Sequence, residues 1–130
     1  MTRSKQREQA FQLIFEALFD DADPAEHVAL YNDNVEETGD YAKVLFSGVC
    51  ANREELDNTI SSFLTGWKIN RIAKVNLAIL RLAVYEILFM EEVPDSVAIN
   101  EAVELAKKYG TAEDAAFVNG VLGSVARSRD

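Results

Sequence analysis

The sequence predicts an all-α protein, because apolar residues recur with the helical period in its long segments and nowhere alternate with the period of a strand. The chain has 130 residues, of which 48% are hydrophobic and 27% are charged, so it is long and apolar enough to bury a core. Neither an internal repeat nor a low-complexity tract is present. We therefore predict about six or seven helices in one domain spanning residues 1–130.

The first two helices are predicted from their apolar spacing and their boundary residues. Apolar side chains three and four positions apart indicate an amphipathic helix from near Ser4 to Phe19, which the acidic segment after it ends. Asp23 and Pro24 then combine a capping residue with a proline at the first helical position. A short second helix should therefore begin at Pro24 and end near Asn32.

In the middle of the chain, the spacing of apolar residues predicts two long helices. Apolar positions keep the helical phase from Tyr41 to just before Gly66, which indicates one helix with a bend near Asn52. From Ile69 to Met90 the chain is apolar almost all round, a pattern typical of a helix that neighbours cover on several sides. We expect this segment to be the centre of the fold.

The last two helices are bounded by polar residues and glycine. Ser96 is the expected N-terminal cap of one helix, with Gly110 as its stop and lysines in its last turn. Asp114 is the expected cap of the final helix. That helix contains "AAFVNGVLGSVA" (residues 115–126), which lacks any charged side chain.

Charge and composition exclude several classes of protein. Thirteen basic and twenty-two acidic residues give a net charge of −9, which argues against a general nucleic-acid coat protein. Residues 1–10 carry +2 and residues 11–66 carry −10, so any anion-binding surface must be local. No uncharged apolar run reaches the ~18 residues of a membrane span. With the lone Cys50 and no secretory signal pattern, we expect a cytoplasmic protein without membrane partners.

The sequence contains no pattern typical of a catalytic site or a metal-binding site. One histidine and one cysteine cannot form a zinc site, and neither a phosphate-binding glycine loop nor a nucleophile elbow is present. We predict a protein that is not an enzyme, with no cofactor and no metal. His27 is expected to lie on the surface of its helix.

Two groups of basic residues are candidates for anion binding. Arg3, Lys5 and Arg7 lie at a helix N-terminus, where positive side chains and free N–H groups together favour an anion such as phosphate. The alternative is a solvated basic tail. Arg71 and Lys74 could widen a positive patch, whereas Arg81 lies in an apolar run and is expected to pair with Glu86 or with an acid on the next helix.

The uncharged segment raises a separate question, because each glycine inside a helix costs about 1 kcal/mol relative to alanine. Ala116, Asn119, Gly120 and Gly123 share one arc of the last helix, opposite its apolar arc. One interpretation is close packing, in which the glycines admit another backbone. The other is a flat ledge on which a partner chain or a nucleic-acid strand lies. Helix physics alone favours the first.

Four segments in order resemble the NusB family of bacterial transcription antitermination factors: "RxxxxQxxF" (7–15), "AILRLAVYEI" (78–87), "PDSVAINEAVELAKKYG" (94–110) and "FVNGVL" (117–122). The resemblance covers the full chain, and its last two segments are the most specific. It implies two small three-helix lobes and a non-enzymatic role. It also implies binding to the boxA element of ribosomal RNA leader transcripts together with NusE, a ribosomal protein, within the antitermination complex of RNA polymerase.

The resemblance implies roles for individual residues. RNA-binding positions correspond to Arg3, Lys5, Arg7, Glu113, Phe117 and Asn119. NusE-binding positions correspond to Phe15 and Asn76, where family members commonly have tyrosine and an acid. Some members self-associate through the same surfaces, so a homodimer remains an alternative.

We expect the basic turn and the glycine-bearing ledge to lie side by side and form one groove for an unpaired transcript. Few phosphate contacts and an acidic body predict weak RNA binding without a basic partner. Two other functions remain open. One is the NusB-like RNA-binding domain of a ribosomal RNA cytosine methyltransferase, and the other is a purely protein-binding helical adaptor.

Overall fold

The computed structural model describes residues 1–129, and its regular secondary structure there consists of α-helices and one 3-10 turn at Ile69–Arg71. The α-helices are α1 (Arg3–Ala17), α2 (Pro24–Asn34), α3 (Asp40–Ala51), α4 (Arg53–Ser62), α5 (Lys74–Phe89), α6 (Asp95–Tyr109) and α7 (Ala112–Ser128). No strand occurs in this part of the chain. The predicted fold class is confirmed.

The first two helices begin where the sequence predicts them. The Thr2 hydroxyl accepts a hydrogen bond from the backbone N–H of Lys5 and so caps α1. At α2, the Asp23 carboxylate accepts from the N–H of Ala25 at 2.9 Å, and Pro24 occupies the first helical position. Local side-chain chemistry is therefore sufficient to set both helix starts.

The prediction of one long helix after Tyr41 is wrong. The chain forms two helices in this region, and Asn52 separates them. Asn52 leaves the helical region at φ −119° and ψ 20°, and its side-chain amide donates to the carbonyl of Gly48 at 2.8 Å. Asparagine competes with the helical ladder in this way because its short amide reaches nearby backbone groups. The expected bend is a break between α3 and α4.

Three other helix starts differ from the prediction. α5 begins at Lys74 rather than at Ile69, because the backbone is extended at Ile72. α6 begins at Asp95 with Pro94 in the N-cap position, which places Ser96 inside the first turn. For α7 the capping residue is Thr111.

Thr111 and Asp114 form a reciprocal capping box at the start of α7. The Thr111 hydroxyl accepts from the N–H of Asp114 at 3.1 Å, and the Asp114 carboxylate accepts from the N–H of Thr111 at 2.9 Å. Asp114 is thus the third helical residue and not the cap. The sequence correctly indicates a capped start of this helix, but the predicted capping residue lies one turn after the actual one.

α5 lies at the centre of the fold and contacts α1, α3, α4, α6 and α7. α1, α2 and α3 pack on one another as a first group, and α6 and α7 pack on one another and on α5 as a second. One continuous hydrophobic core joins the groups, and its largest fully buried apolar side chains are Leu13, Leu45, Phe46, Leu56, Ile60, Ile79, Leu80 and Leu122. No helix within residues 1–129 is both long and apolar enough to span a bilayer.

His27 is buried, which contradicts the expected surface position. Its Nε2 lies 2.8 Å from the Asp20 carboxylate, and its ring meets the edge of Phe46 at 6.4 Å between centroids. The acidic segment between α1 and α2 folds back over the histidine. A single amphipathic helix pattern could not reveal this cover, because it comes from outside the helix.

Candidate nucleic-acid interface

Arg7 is a buried structural residue, although it belongs to the predicted anion site. Only 5% of it is exposed, and its Nε lies 3.0 Å from both carboxylate oxygens of Glu86. The Tyr41 hydroxyl also donates to Glu86, and Glu101 lies 3.7 Å from the Arg7 guanidinium. A guanidinium held in this way presents no free surface to a phosphate. The structure therefore contradicts an exposed role for Arg7.

The other two cations of the basic turn are exposed, and they differ in their partners. Lys5 Nζ lies 3.1 Å from Glu36 and 3.5 Å from Glu8, and the hydrogen bond with Glu36 raises the pKa of Lys5. The Arg3 guanidinium lies over the Tyr41 ring, 3.7 Å from its centroid, and within residues 1–129 it has no carboxylate partner. Because exposed ion pairs are weak, Lys5 can exchange its acids for a phosphate.

Arg81 forms the structural ion pair that the sequence suggested, but with a different acid. Its Nε and Nη2 each donate to a separate oxygen of Asp57 at 2.8 Å. Asp57 belongs to the preceding helix α4, while Glu86 is already occupied by Arg7. Arg71 and Lys74 are exposed, as the sequence predicts.

The glycine-bearing arc of α7 is an open ledge. Ala116, Asn119 and Gly120 are exposed, and a Cβ atom built on Gly120 would meet nothing within 4 Å. At Gly123 such an atom would approach only the end of the flexible Arg127 side chain. The close-packing interpretation is therefore wrong, and no buried contact compensates for these glycines. This arc of α7 is instead a flat, uncharged strip of the protein surface.

Replacing Gly120 with alanine should raise the free energy of unfolding by about 0.5–1 kcal/mol, because the methyl group removes backbone freedom without a clash. Chemical denaturation measures the change. Gly48→Ala is the matched control with the opposite expected sign, since its Cβ would clash with the Tyr85 ring. A Gly120→Ala variant that loses stability would show that the ledge is covered.

The start of the ledge continues into a recess of about 310 Å³ beside the N-terminus of α5. Glu113 and Phe117 line it from α7, and Asn76 lines it from α5. The family resemblance implies a NusE contact for Asn76 and RNA contacts for Glu113 and Phe117, so the structure brings together residues that were expected to serve different ligands. Trp67 and Arg71 complete the wall. Sequence reasoning passed over Trp67, although it is the only tryptophan and follows a glycine.

Asn76 is buried, and its side-chain amide donates to the Asp114 carboxylate at 2.9 Å. That hydrogen bond, together with those from Thr111, lowers the pKa of Asp114. The carboxylate consequently stays ionised near neutral pH and can only accept. The orientation of the Asn76 amide is thereby fixed.

Phe15 lies on a different part of the surface. It is half-buried, and its ring meets Phe11 at 6.1 Å and Phe19 at 5.1 Å between centroids. Phe19 is 61% exposed, so the end of α1 presents an aromatic surface to solvent. An exposed phenylalanine beside a second aromatic is a typical feature of protein interfaces.

The basic turn and the ledge lie on helices that pack on the same two neighbours, and the single groove expected from the sequence stays a prediction. α1 and α7 each pack on α5 and α6, and within residues 1–129 they form no extended contact with each other. Arg7 meets α5 at Glu86, whereas Asp114 meets it at Asn76. Ten helical positions correspond to about 15 Å along the axis. α1 nevertheless approaches the start of α7, because Glu8 contacts Lys108 and Tyr109 shortly before α7 begins.

Comparison with known proteins gives consistent matches over the whole chain. A family model described as the NusB family matches residues 4–127. The chain is 50% identical to the transcription antitermination protein NusB of Agathobacter rectalis, over 97% of this chain and 100% of that protein. It is 41% identical to the protein of the same name from Clostridium novyi, over 98% and 100%.

Solved structures of the same kind superpose closely. The T. maritima NusB structure matches with a TM-score of 0.86 and 35% identity, covering 98% of this chain and 92% of that chain. A crystal structure of the antitermination factors NusB and NusE in complex with dsRNA matches with a TM-score of 0.87 and 27% identity, over 98% and 99%. The described helices are thus arranged as in the NusB protein that was crystallised with NusE and dsRNA.

Proposed function

The chain belongs to the NusB family, and from that premise we propose that it is a transcription antitermination factor that binds the boxA element of ribosomal RNA leader transcripts together with NusE. It acts by binding and carries no catalytic step. The observation that carries the proposal is the match over nearly its full length to proteins named for antitermination, at up to 50% identity. The open ledge of α7 supports it independently.

The charge distribution explains why a partner is needed. The chain carries a net charge of −9, Arg7 is buried, and Lys5 is shared with two acids. About three phosphate contacts to a single strand predict a salt slope of only roughly −2. A basic partner such as a ribosomal protein would add phosphate contacts, and the acidic surface of this chain favours its approach.

The distance between Arg3 and the ledge gives the partner a second role. An RNA strand that contacts both Arg3 and the ledge must span the roughly 15 Å that separates their helices' contacts along α5. NusE bound beside the aromatic surface at Phe15 and Phe19 would extend the RNA-binding surface between Arg3 and the ledge. We propose that the site is composite, with RNA polymerase engaged through the assembled complex in the cytoplasm.

A titration of boxA-like RNA with and without NusE tests the proposal. We expect weak binding by the chain alone, at least tenfold tighter binding with NusE, and a clear preference over a scrambled RNA. An affinity that NusE leaves unchanged, or equal affinity for both RNAs, would contradict it. Size determination in the same samples distinguishes a heterodimer from a homodimer.

The exposed cations supply matched variants for the same assay. Arg3→Ala combined with Lys5→Ala should weaken binding and flatten the salt dependence, because two phosphate contacts are removed. Lys43→Ala and Arg53→Ala together remove the same charge from exposed positions elsewhere and should change little. Equal effects from the two pairs would indicate that only net charge matters. Unchanged binding of all variants would favour a purely protein-binding adaptor.

A further inference from the structure

The Arg3 side chain is held against an aromatic ring at the start of α1. Its guanidinium lies over Tyr41, 3.7 Å from the ring centroid. Arg3 is exposed, and within residues 1–129 it forms no ion pair. A guanidinium carries five N–H donors, and stacking on a ring leaves its outer edge free for other ligands. The contact with Tyr41 therefore fixes the charge in place and keeps its donors available to an anion.

The ring of Tyr41 is itself fixed by the buried ion pair beneath it. Tyr41 is 8% exposed, and its hydroxyl donates to the Glu86 carboxylate that also accepts from Arg7. Burial and the hydrogen bond with Glu86 raise the pKa of Tyr41 to about 12. The hydroxyl consequently stays protonated at neutral pH and continues to donate. The ring presents one defined face to Arg3.

The backbone at Tyr41 is tied to the same turn of α1 that carries Arg3. α3 begins at Gly39 without a side-chain cap of its own, and Gln6 from α1 replaces that cap. Gln6 Oε1 accepts from the N–H of Tyr41 at 2.8 Å and from the N–H of Ala42 at 3.3 Å. A Cβ atom at Gly39 would clash with the Gln6 side chain, so the glycine permits this close approach. The arginine and the ring are thus joined through backbone as well as side chain.

We propose that Tyr41 is a positioning residue for RNA binding, whose ring holds the Arg3 guanidinium where it binds an RNA phosphate. The proposal rests on the proposed RNA-binding function and deepens it. Ordering a mobile arginine during binding opposes affinity, and a guanidinium that is already in place avoids this loss. Arg7, which presents no free surface to RNA, contributes indirectly through Glu86 and the Tyr41 hydroxyl.

An RNA phosphate fits this arrangement better than a carboxylate of the protein partner. Two N–H groups of one guanidinium can bind two oxygens of either group. Because the proposed protein partner is basic, the RNA backbone is the anion that the complex supplies. Lys5 on the same turn is already shared by Glu8 and Glu36, so Arg3 is the cation that is free to bind first.

Two substitutions of Tyr41 separate the ring from its hydroxyl. Both Tyr41→Leu and Tyr41→Phe lose the hydrogen bond to Glu86 and should lower the melting temperature, but only Tyr41→Leu removes the face under Arg3. Titration of boxA-like RNA in the presence of NusE should show about fivefold weaker binding for Tyr41→Leu and less than about twofold for Tyr41→Phe. Equal losses from the two variants overturn the proposal. Circular dichroism confirms that each variant is folded at the temperature of the titration.

Tyr31→Leu is the matched control for damage to the fold. Tyr31 is 3% exposed, and its hydroxyl donates to Gln12 of α1 at 2.6 Å. In the described part of the chain no cation lies over its ring. We expect this variant to lose stability and to keep RNA affinity within about twofold. A loss of affinity equal to that of Tyr41→Leu would attribute both effects to the fold and overturn the positioning role.

A double-mutant cycle tests whether Tyr41 acts through Arg3. Arg3→Ala should weaken RNA binding by itself, and Tyr41→Leu should have no further effect in that background, because residues that act on one contact are not additive. Additive losses would mean that Tyr41 acts by another route, and they overturn the proposal. So does a Tyr41→Leu variant that binds NusE more weakly in the absence of RNA.

Proton chemical shifts of the Arg3 side chain report the contact without RNA, since an aromatic ring moves the resonances of protons above its face to higher field. We expect this displacement in the unsubstituted chain and in Tyr41→Phe, and its loss in Tyr41→Leu. Its absence from the unsubstituted chain overturns the positioning role. Normal RNA binding by Tyr41→Leu also overturns that role and leaves the proposed function intact. An unsubstituted chain that fails to bind RNA with NusE overturns both.

Discussion

Replacing Glu86 with leucine should lower the free energy of unfolding by about 3–5 kcal/mol, because the buried Arg7 guanidinium loses its hydrogen-bonded counter-charge and keeps only the more distant Glu101, 3.7 Å away. Arg7 Nε lies 3.0 Å from both oxygens of Glu86, and Glu86 is 1% exposed. Tyr41 would also lose its acceptor. Equilibrium denaturation by urea gives the change directly.

A double variant distinguishes the loss of a charge partner from general damage to the core. Glu86→Leu combined with Arg7→Met replaces both charges with apolar groups of similar length, and such replacements are often neutral. We expect the pair to recover most of the stability that the single variant loses. A double variant as unstable as the single one would show that packing, and not the unpaired charge, is responsible.

This ion pair also bears on how RNA-binding variants are interpreted. An Arg7→Ala variant would leave Glu86 buried and unpaired, so a loss of RNA binding could follow from loss of folding. Arg3 and Lys5 are exposed and carry no such risk. They are therefore the informative positions at this end of α1.

Replacing Phe46 with alanine should cost about 3–5 kcal/mol, because Phe46 is fully buried where α3 packs into the core. The lost contacts include the edge of the His27 ring. Phe19→Ala is the matched control, since the same side chain there is mostly exposed and the change should stay within about 0.5 kcal/mol. Similar losses at both positions would contradict the assigned core.

Phe19→Ala also has a functional readout. It truncates the aromatic surface at the end of α1 without disturbing the fold. We expect it to weaken the NusE complex while leaving the melting temperature almost unchanged. Phe46→Ala should lower the melting temperature strongly, so the pair separates partner binding from stability.

The helical class and the first helix boundaries could be predicted because they depend on local information. Apolar spacing defines a helix face, and the cap at Asp23 with Pro24 defines a start within a few residues. The helix break at Asn52 was harder to predict, since asparagine is tolerated inside helices. Only the hydrogen bond from its side-chain amide to the Gly48 carbonyl distinguishes a break from a continuous helix. Caps at Pro94 and Thr111 were missed for a similar reason, because adjacent polar residues offered equally good local signals.

The candidate site was predicted less completely, because long-range pairing is invisible in a local pattern. Arg7 and Glu86 are 79 positions apart, so nothing near Arg7 indicates that it is buried. The ledge at Asn119 and Gly120 was recognised as unusual, but exposure could not be distinguished from close packing until the surrounding helices were placed. Trp67 lay in a short polar loop and gained significance only beside Asn76.

The central position of α5 has a consequence for how the molecule opens. Its middle turns are covered by α1, α3, α4, α6 and α7, so their amide hydrogens should exchange with solvent only when the whole protein unfolds. α2 packs on α1 and α3 alone and buries only His27 and Tyr31. A protease acting on the native protein should therefore cut first around α2, well before the helix that supports the recess and the ledge is released.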